Sequence, residues 1–291
     1  MKRITVVGGM LMSVAALAVS VPTNAVAAEG NPPRYQHYVA LGDSYSAVGD
    51  LTELEGPLGC TRSTENYPTH LQAMVGAATF TDATCGEART PNMTGPQSIP
   101  GGFTAPQLDS LTPDTDLVTL TIGFNDLDFG TFMGTCIAMS TLGPGSNLCE
   151  TTLGAQEKQT RAARVGVVAD KVGATIDNIR QRSPHADIVY VSYLNMLPDG
   201  GPCATMPMVS PADVKYLHDV QHAAALILRT AAGRHGAIEA DTTTIGGHDL
   251  CQPAENRWVE PLVPATTTTP FHPNPAGATA MAGVVATALG Y

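Results

Sequence analysis

Three short blocks of this 291-residue chain carry residue types that can do chemistry together. They are Gly42-Asp43-Ser44-Tyr45-Ser46, Gly123-Phe124-Asn125-Asp126 and His272-Pro273-Asn274-Pro275. A serine hydroxyl attacks a carbonyl only when a base removes its proton, and donors must meet the oxyanion that forms. A histidine suits the first task near neutral pH. An asparagine amide suits the second, because it donates without adding charge. Each residue alone has a plainer reading: Ser44 as a helix cap, Asn125 as a turn residue, His272 as a loop histidine. The blocks are far apart, so the fold must bring them to one place.

The elements that position them are legible from periodicity. The apolar run Tyr38–Leu41 reads as a buried strand that ends just before Ser44. A weaker strand follows at 78–85, a strong β-branched one over Asp116–Gly123, and others over 186–194 and 236–244. Helices are expected at 66–76 and, from the spacing of Val165, Val168, Val172, Ile176 and Ile179, across that segment. Ser210-Pro211 opens another helix, with Val214, Leu217, Val220, Ala224, Ile227 and Ala231 on one face. A last helix runs from Pro275 to Leu289. Alternation of this kind implies a parallel sheet covered on both faces, with sites at the carboxyl ends of the strands. Ser44 and Asn125 both fall at such ends. The segments 50–64, 86–106, 130–160 and 242–271 read as long loops that form the pocket walls.

The ends and composition set the compartment. Met1-Lys2-Arg3, the apolar stretch Ile4–Val21 and the small residues up to Ala28 form a secretory signal peptide, with cleavage after Ala27 or Ala28. Removal takes Lys2 and Arg3 from a formal charge of −11, leaving roughly 263 residues at about −13. That is the size of a single α/β domain over 29–291. An acidic chain with no basic block is not expected to bind nucleic acid, and no later segment is long enough to anchor it in a membrane. Cys60, Cys85, Cys136, Cys149, Cys203 and Cys251 are an even set in an exported chain, which implies three disulfides. Neighbour pairing closes the loops without threading and is the expected connectivity. No CxxC occurs, and the His218/His222 pair lacks the glutamate of an HExxH motif, so no metal site is expected.

Taken in order, GDSYS, GFND and HPNPAG resemble the blocks of the SGNH (GDSL-type) hydrolases, in particular secreted actinobacterial lipases and esterases with three disulfides. Stretches such as CTRSTENYP and GHDLC extend the likeness over the mature chain. The resemblance implies a flavodoxin-like three-layer α/β/α sandwich with a five-stranded parallel sheet. It implies Ser44 as nucleophile, His272 as its base, and the Ser44 N–H and the Asn125 amide as oxyanion donors. The activity implied is ester hydrolysis through an acyl-enzyme, without a cofactor, by a monomer acting on a small-molecule or lipid ester.

Two positions depart from the family pattern. Where its second block carries an oxyanion-hole glycine, this chain has Glu87, with Gly86 just before it. A carboxylate aimed at an oxyanion 4 Å away would oppose it by on the order of 4 kcal/mol at an effective dielectric near 20. Either Glu87 donates through its backbone with its side chain turned away, or Gly86 donates instead. Where the family places an aspartate three residues before the histidine, this chain has Thr269. The Thr269 carbonyl is then expected to orient His272, unless Asp249 or Glu260 supplies a displaced carboxylate. Phe124, Trp258 and Phe271 either line an acyl pocket or belong to the core. A binding protein that kept the fold and lost turnover, or a carbohydrate acetylesterase, are the other readings open at this point.

Overall fold

The computed structural model describes residues 34–291, and at 155–158 only the helix they belong to. The expected signal peptide and its cleavage site lie outside the described residues. Strand β1 (His37–Gly42) runs into a single helical turn, α1 (Ser44–Ala47), followed by α2 (Tyr67–Val75) and β2 (Thr79–Asp82). A small hairpin, β3 (Gln97–Ile99) with β4 (Gly102–Thr104), precedes β5 (Leu117–Thr121). Then come α3 (Phe129–Leu142), α4 (Leu148–Arg182), β6 (Asp187–Val191), α5 (Pro211–Arg234), β7 (Ile238–Ala240) and α6 (Pro275–Ala288).

The main sheet has five parallel strands in the order β2-β1-β5-β6-β7. Every residue of β5 is buried, as a strand covered on both faces requires. Helix α2 packs with α6, and α4 with α5, giving the three-layer sandwich. The strand order reverses between β1 and β5. Ligand sites in open α/β sheets form at such a reversal, outside the carboxyl ends. Ser44 follows β1 and Asn125 follows β5, so the topology alone sets them side by side.

The segment 130–160 is not a loop. It holds all but the first residue of α3 and about the first third of α4, a helix of 35 residues. Its glycines and threonines hide the pattern, and the buried face of α4 (Val165, Val168, Val172, Ile176, Ile179) begins only at mid-helix. The start of α4 is tied to α3 by the Cys136–Cys149 disulfide and to α5 by the Cys149 and Glu150 N–H groups, which donate to Asp213. The other bridges are Cys60–Cys85 and Cys203–Cys251, so all six cysteines follow the neighbour pairing. Segment 86–106 is likewise part hairpin. Helix α5 is also turned from the expected face: Val220 is half-buried and Ile227 is 42% exposed, while Ala225 and Leu228 are in the core. Among the described residues no helix is long and apolar enough to cross a membrane.

The turn after β1 is built around Gly42. Strand β2 stops short of it, and the buried Gln107 amide takes the place of a strand, accepting from the Gly42 N–H at 2.7 Å and donating to its carbonyl at 2.9 Å. On the other edge the Asp43 N–H donates to the Thr121 carbonyl at 3.0 Å. Gly42 has a φ of +148°, and a Cβ there would lie 2.6 Å from the Thr121 carbonyl oxygen and 2.4 Å from Ser46 Oγ. We expect Gly42→Ala to cost about 3 kcal/mol or more of stability, from strain and overpacking together. Urea unfolding of the exported protein measures it, and a loss below ~1 kcal/mol would contradict this account of the turn.

Candidate active site

Asp43 caps α1, its carboxylate accepting from the Tyr45 N–H at 3.0 Å, so Ser44 is the first helical residue rather than the cap. Its hydroxyl is thereby left for another partner. That partner is His272, whose Nε2 lies 2.7 Å from Ser44 Oγ. The opposite ring nitrogen, Nδ1, is 2.8 Å from the Pro270 carbonyl. A carbonyl only accepts, so Nδ1 must carry the proton and Nε2 must present its lone pair to the serine.

The orienting group is therefore the Pro270 carbonyl, not that of Thr269. The Thr269 carbonyl accepts from the His272 backbone N–H at 3.2 Å, closing a tight turn that aims the next carbonyl at the ring. Neither of the two carboxylates considered reaches His272. Asp249 accepts from the Cys251 N–H and the Gln252 amide. Glu260 is fully buried and accepts from the Asn274 amide and the Ala265 N–H, with Arg257 3.5 Å away. Its link to His272 is through the main chain. The Glu260 N–H donates to the His272 carbonyl and the Phe271 N–H to the Glu260 carbonyl, a short antiparallel clamp on the loop. The Tyr45 hydroxyl ties this loop to α1, which carries Ser44, by donating to the Phe271 carbonyl at 3.1 Å.

Geometry separates the two glycine-block alternatives. The Gly86 N–H is spent on the Cys60 carbonyl at 2.8 Å. Glu87 has a φ of 64°, the left-handed conformation its glycine counterpart would adopt freely. Its side chain is exposed, and among the described residues its N–H has no protein partner. The Ser44 N–H is in the same position. Asn125 donates one amide hydrogen to the Ala88 carbonyl at 3.0 Å, which fixes the amide and leaves the second hydrogen free. All three residues line one hollow of about 280 Å3, together with His272, Phe124 and Phe271. Trp258 does not line it. Its ring stacks on His248 at 3.7 Å, and its carbonyl accepts from the Asn274 N–H at the start of α6.

Sequence reasoning missed Tyr193. Its hydroxyl donates to Asp43 at 2.5 Å and accepts from the Phe124 N–H at 3.1 Å, joining the turns after β1 and β5. No motif marks it; it sits two residues past the end of β6. Burial pushes the Asp43 carboxyl up to about 7, against the pull of Tyr193 and the Tyr45 N–H. Burial also lowers the pKa of His272, opposed by the Pro270 carbonyl and by the charge of Glu87. His218, singled out for its spacing from His222, donates through Nδ1 to the Leu197 carbonyl. The neighbouring Asp199 and Asp219 both hold the Lys215 ammonium.

A serine hydroxyl on a neutral imidazole, beside three donors, is the arrangement of an acyl-transfer site. Comparison with known proteins agrees. Residues 40–280 match the GDSL-like lipase/acylhydrolase family. The chain belongs to that family. Lipase 2 of Streptomyces coelicolor is 37% identical over 254 residues, covering 84% of this chain and 83% of the relative. A lipase of Streptomyces rimosus is 32% identical over 76% of each chain. The solved structure of the Streptomyces rimosus extracellular lipase superposes with a TM-score of 0.61 at 27% identity, covering 87% of this chain and 99% of that one. Phospholipase A1 from Streptomyces albidoflavus shares the fold, with a TM-score of 0.64 at 23% identity. This GDSL-family chain is accordingly a hydrolase of carboxylic esters.

The Glu87 side chain gives a test with a definite sign. Its charge favours the imidazolium, so Glu87→Gln should lower the His272 pKa further. His272 acts as a base only when neutral, so the acid limb of the kcat/KM profile should move to lower pH. A shift to higher pH, or a loss of more than about tenfold on the plateau, would show that the carboxylate itself serves the reaction.

Proposed function

We propose that residues 29–291 form one exported esterase or lipase domain that cleaves acyl esters through a covalent acyl-enzyme on Ser44. Nε2 of His272 takes the Ser44 proton as Oγ bonds to the acyl carbon. The electron pair of the carbonyl moves onto its oxygen, where the N–H groups of Ser44 and Glu87 and the Asn125 amide donate to it. Collapse of this intermediate breaks the bond to the alcohol oxygen, which takes the proton from the imidazolium. Water then repeats the sequence in reverse and frees the acid. Every group invoked comes from one chain, so the reading needs no second subunit. It needs no cofactor either.

The observation that carries this reading is the 2.7 Å contact between Ser44 Oγ and a His272 Nε2 made basic by the Pro270 carbonyl. Exposure of the Glu87 side chain removes the motive for reading the chain as an inactive binding protein. Export is supported by the pairing of all six cysteines and by the similarity to an extracellular lipase.

Ser44→Ala should fold normally and lose several orders of magnitude of nitrophenyl-ester turnover, with a fluorophosphonate no longer labelling the protein. Asp249→Asn should stay within about threefold of wild type, because its partners are structural. Retained turnover in Ser44→Ala, with label on another serine, would refute the nucleophile. A fall of roughly 10⁴-fold in Asp249→Asn would instead reveal a conventional acid.

A further inference from the structure

Beside the Ser44 hollow lies a larger cavity of about 690 Å3, walled by α3, the first half of α4 and α5. Its size is that of a small-molecule site, in the range of roughly 300–1,000 Å3. Phe129 lines both spaces. A row of rings connects them. Tyr45, beside His272, meets Tyr193 at 5.0 Å, and Tyr193 stacks on Phe124 at 3.7 Å. Phe124 reaches Phe129 at 4.9 Å, Phe129 reaches Phe132 at 6.0 Å, and Phe132 meets Tyr216 at 6.0 Å. Most of the wall is carbon, including Val165 of α4 and Val220 and Ile227 of α5, although Asn147, Glu150, Thr151 and Asp219 also line it. The cations on the lining are already engaged: Arg164 with Asp128 at 2.5 Å, and Arg161 with the Tyr216 hydroxyl while lying 4.5 Å over Phe132.

We propose that this cavity receives the acyl chain of a long-chain ester whose carbonyl sits at Ser44, with Phe129 as the partition the chain passes. The inference rests on Ser44 being the nucleophile. Around the attacked carbon the oxyanion faces its donors, and the leaving oxygen must face His272 to receive a proton. The acyl tail takes the remaining direction, and the ring row leads away from His272 into the cavity. An alcohol portion would start on the His272 side and would not reach it. The occupant is a hydrocarbon because the wall is mostly carbon, and Arg161, Arg164 and Asp219 on it are already held by Tyr216, Asp128 and Lys215. Each methylene that enters such a site is worth up to about fourfold in kcat/KM.

Nitrophenyl acetate, butyrate and dodecanoate, kept below their aggregation limits, test this with variants that fill the cavity from opposite walls. Ala223→Trp acts from α5 and Thr151→Trp from α4; both positions are exposed on the lining and touch none of the groups that act at Ser44. We expect kcat/KM to rise from butyrate to dodecanoate in the wild type. In both variants the dodecanoate value should fall at least tenfold while acetate stays within twofold. An unchanged dodecanoate-to-acetate ratio in either folded variant would overturn the inference. So would a wild type that hydrolyses acetate but gains nothing with chain length, and that result would leave the nucleophile standing. No turnover of any of the three esters would overturn the Ser44 reading, and the cavity's role with it.

Discussion

The hydrogen bond from His272 Nδ1 to the Pro270 carbonyl decides what the rest of the site can do. With the proton held on Nδ1, the lone pair of Nε2 points at Ser44, as the proposed attack by the serine requires. Reversing that bond would turn a donor toward the hydroxyl, and no arrangement of oxyanion donors would compensate. The carbonyl is itself positioned by main chain. The clamp between Glu260 and His272, the turn closed by Thr269 and the Tyr45 hydroxyl on Phe271 together set where Pro270 points.

A neutral carbonyl in place of a carboxylate has an electrostatic consequence. It fixes the tautomer as an acid would, but it offers the imidazolium a dipole instead of a full charge. Burial then dominates and holds the ring below its ordinary pKa, so it stays a base into mildly acidic solution. Among the described residues, Glu87 supplies the carboxylate charge that pulls the other way. The residue that departs from the glycine of the family block thus keeps the backbone geometry and acts on the imidazole by its charge from the solvent side.

What could be read in advance follows physical lines. Strand ends and the GDSYS and GFND blocks are local, and parallel topology carries them to neighbouring carboxyl ends, so Ser44, Asn125 and the sheet were legible. His272 was legible only through resemblance, since nothing local ties a loop histidine to a serine 228 residues away. Which carbonyl faced its ring depended on the turn, and one residue of register separates Thr269 from Pro270. Tyr193 and Gln107 act through tertiary contacts and carry no motif. Segment 130–160 was obscured because its helices are held by a disulfide and by bonds to Asp213 of α5, and present no regular apolar stripe to the sheet. The faces of α4 and α5 that depart from simple periodicity are the ones that enclose the large cavity.

The central claim is that a backbone carbonyl sets the protonation of His272. Nitrogen-15 NMR of the histidine rings in the intact protein reads it directly. The account predicts that, near neutral pH, His272 has a protonated Nδ1 and an unprotonated Nε2, and that the ring titrates below the ordinary histidine value. A protonated Nε2 in the neutral ring, or titration above that value as beside a carboxylate, would contradict it.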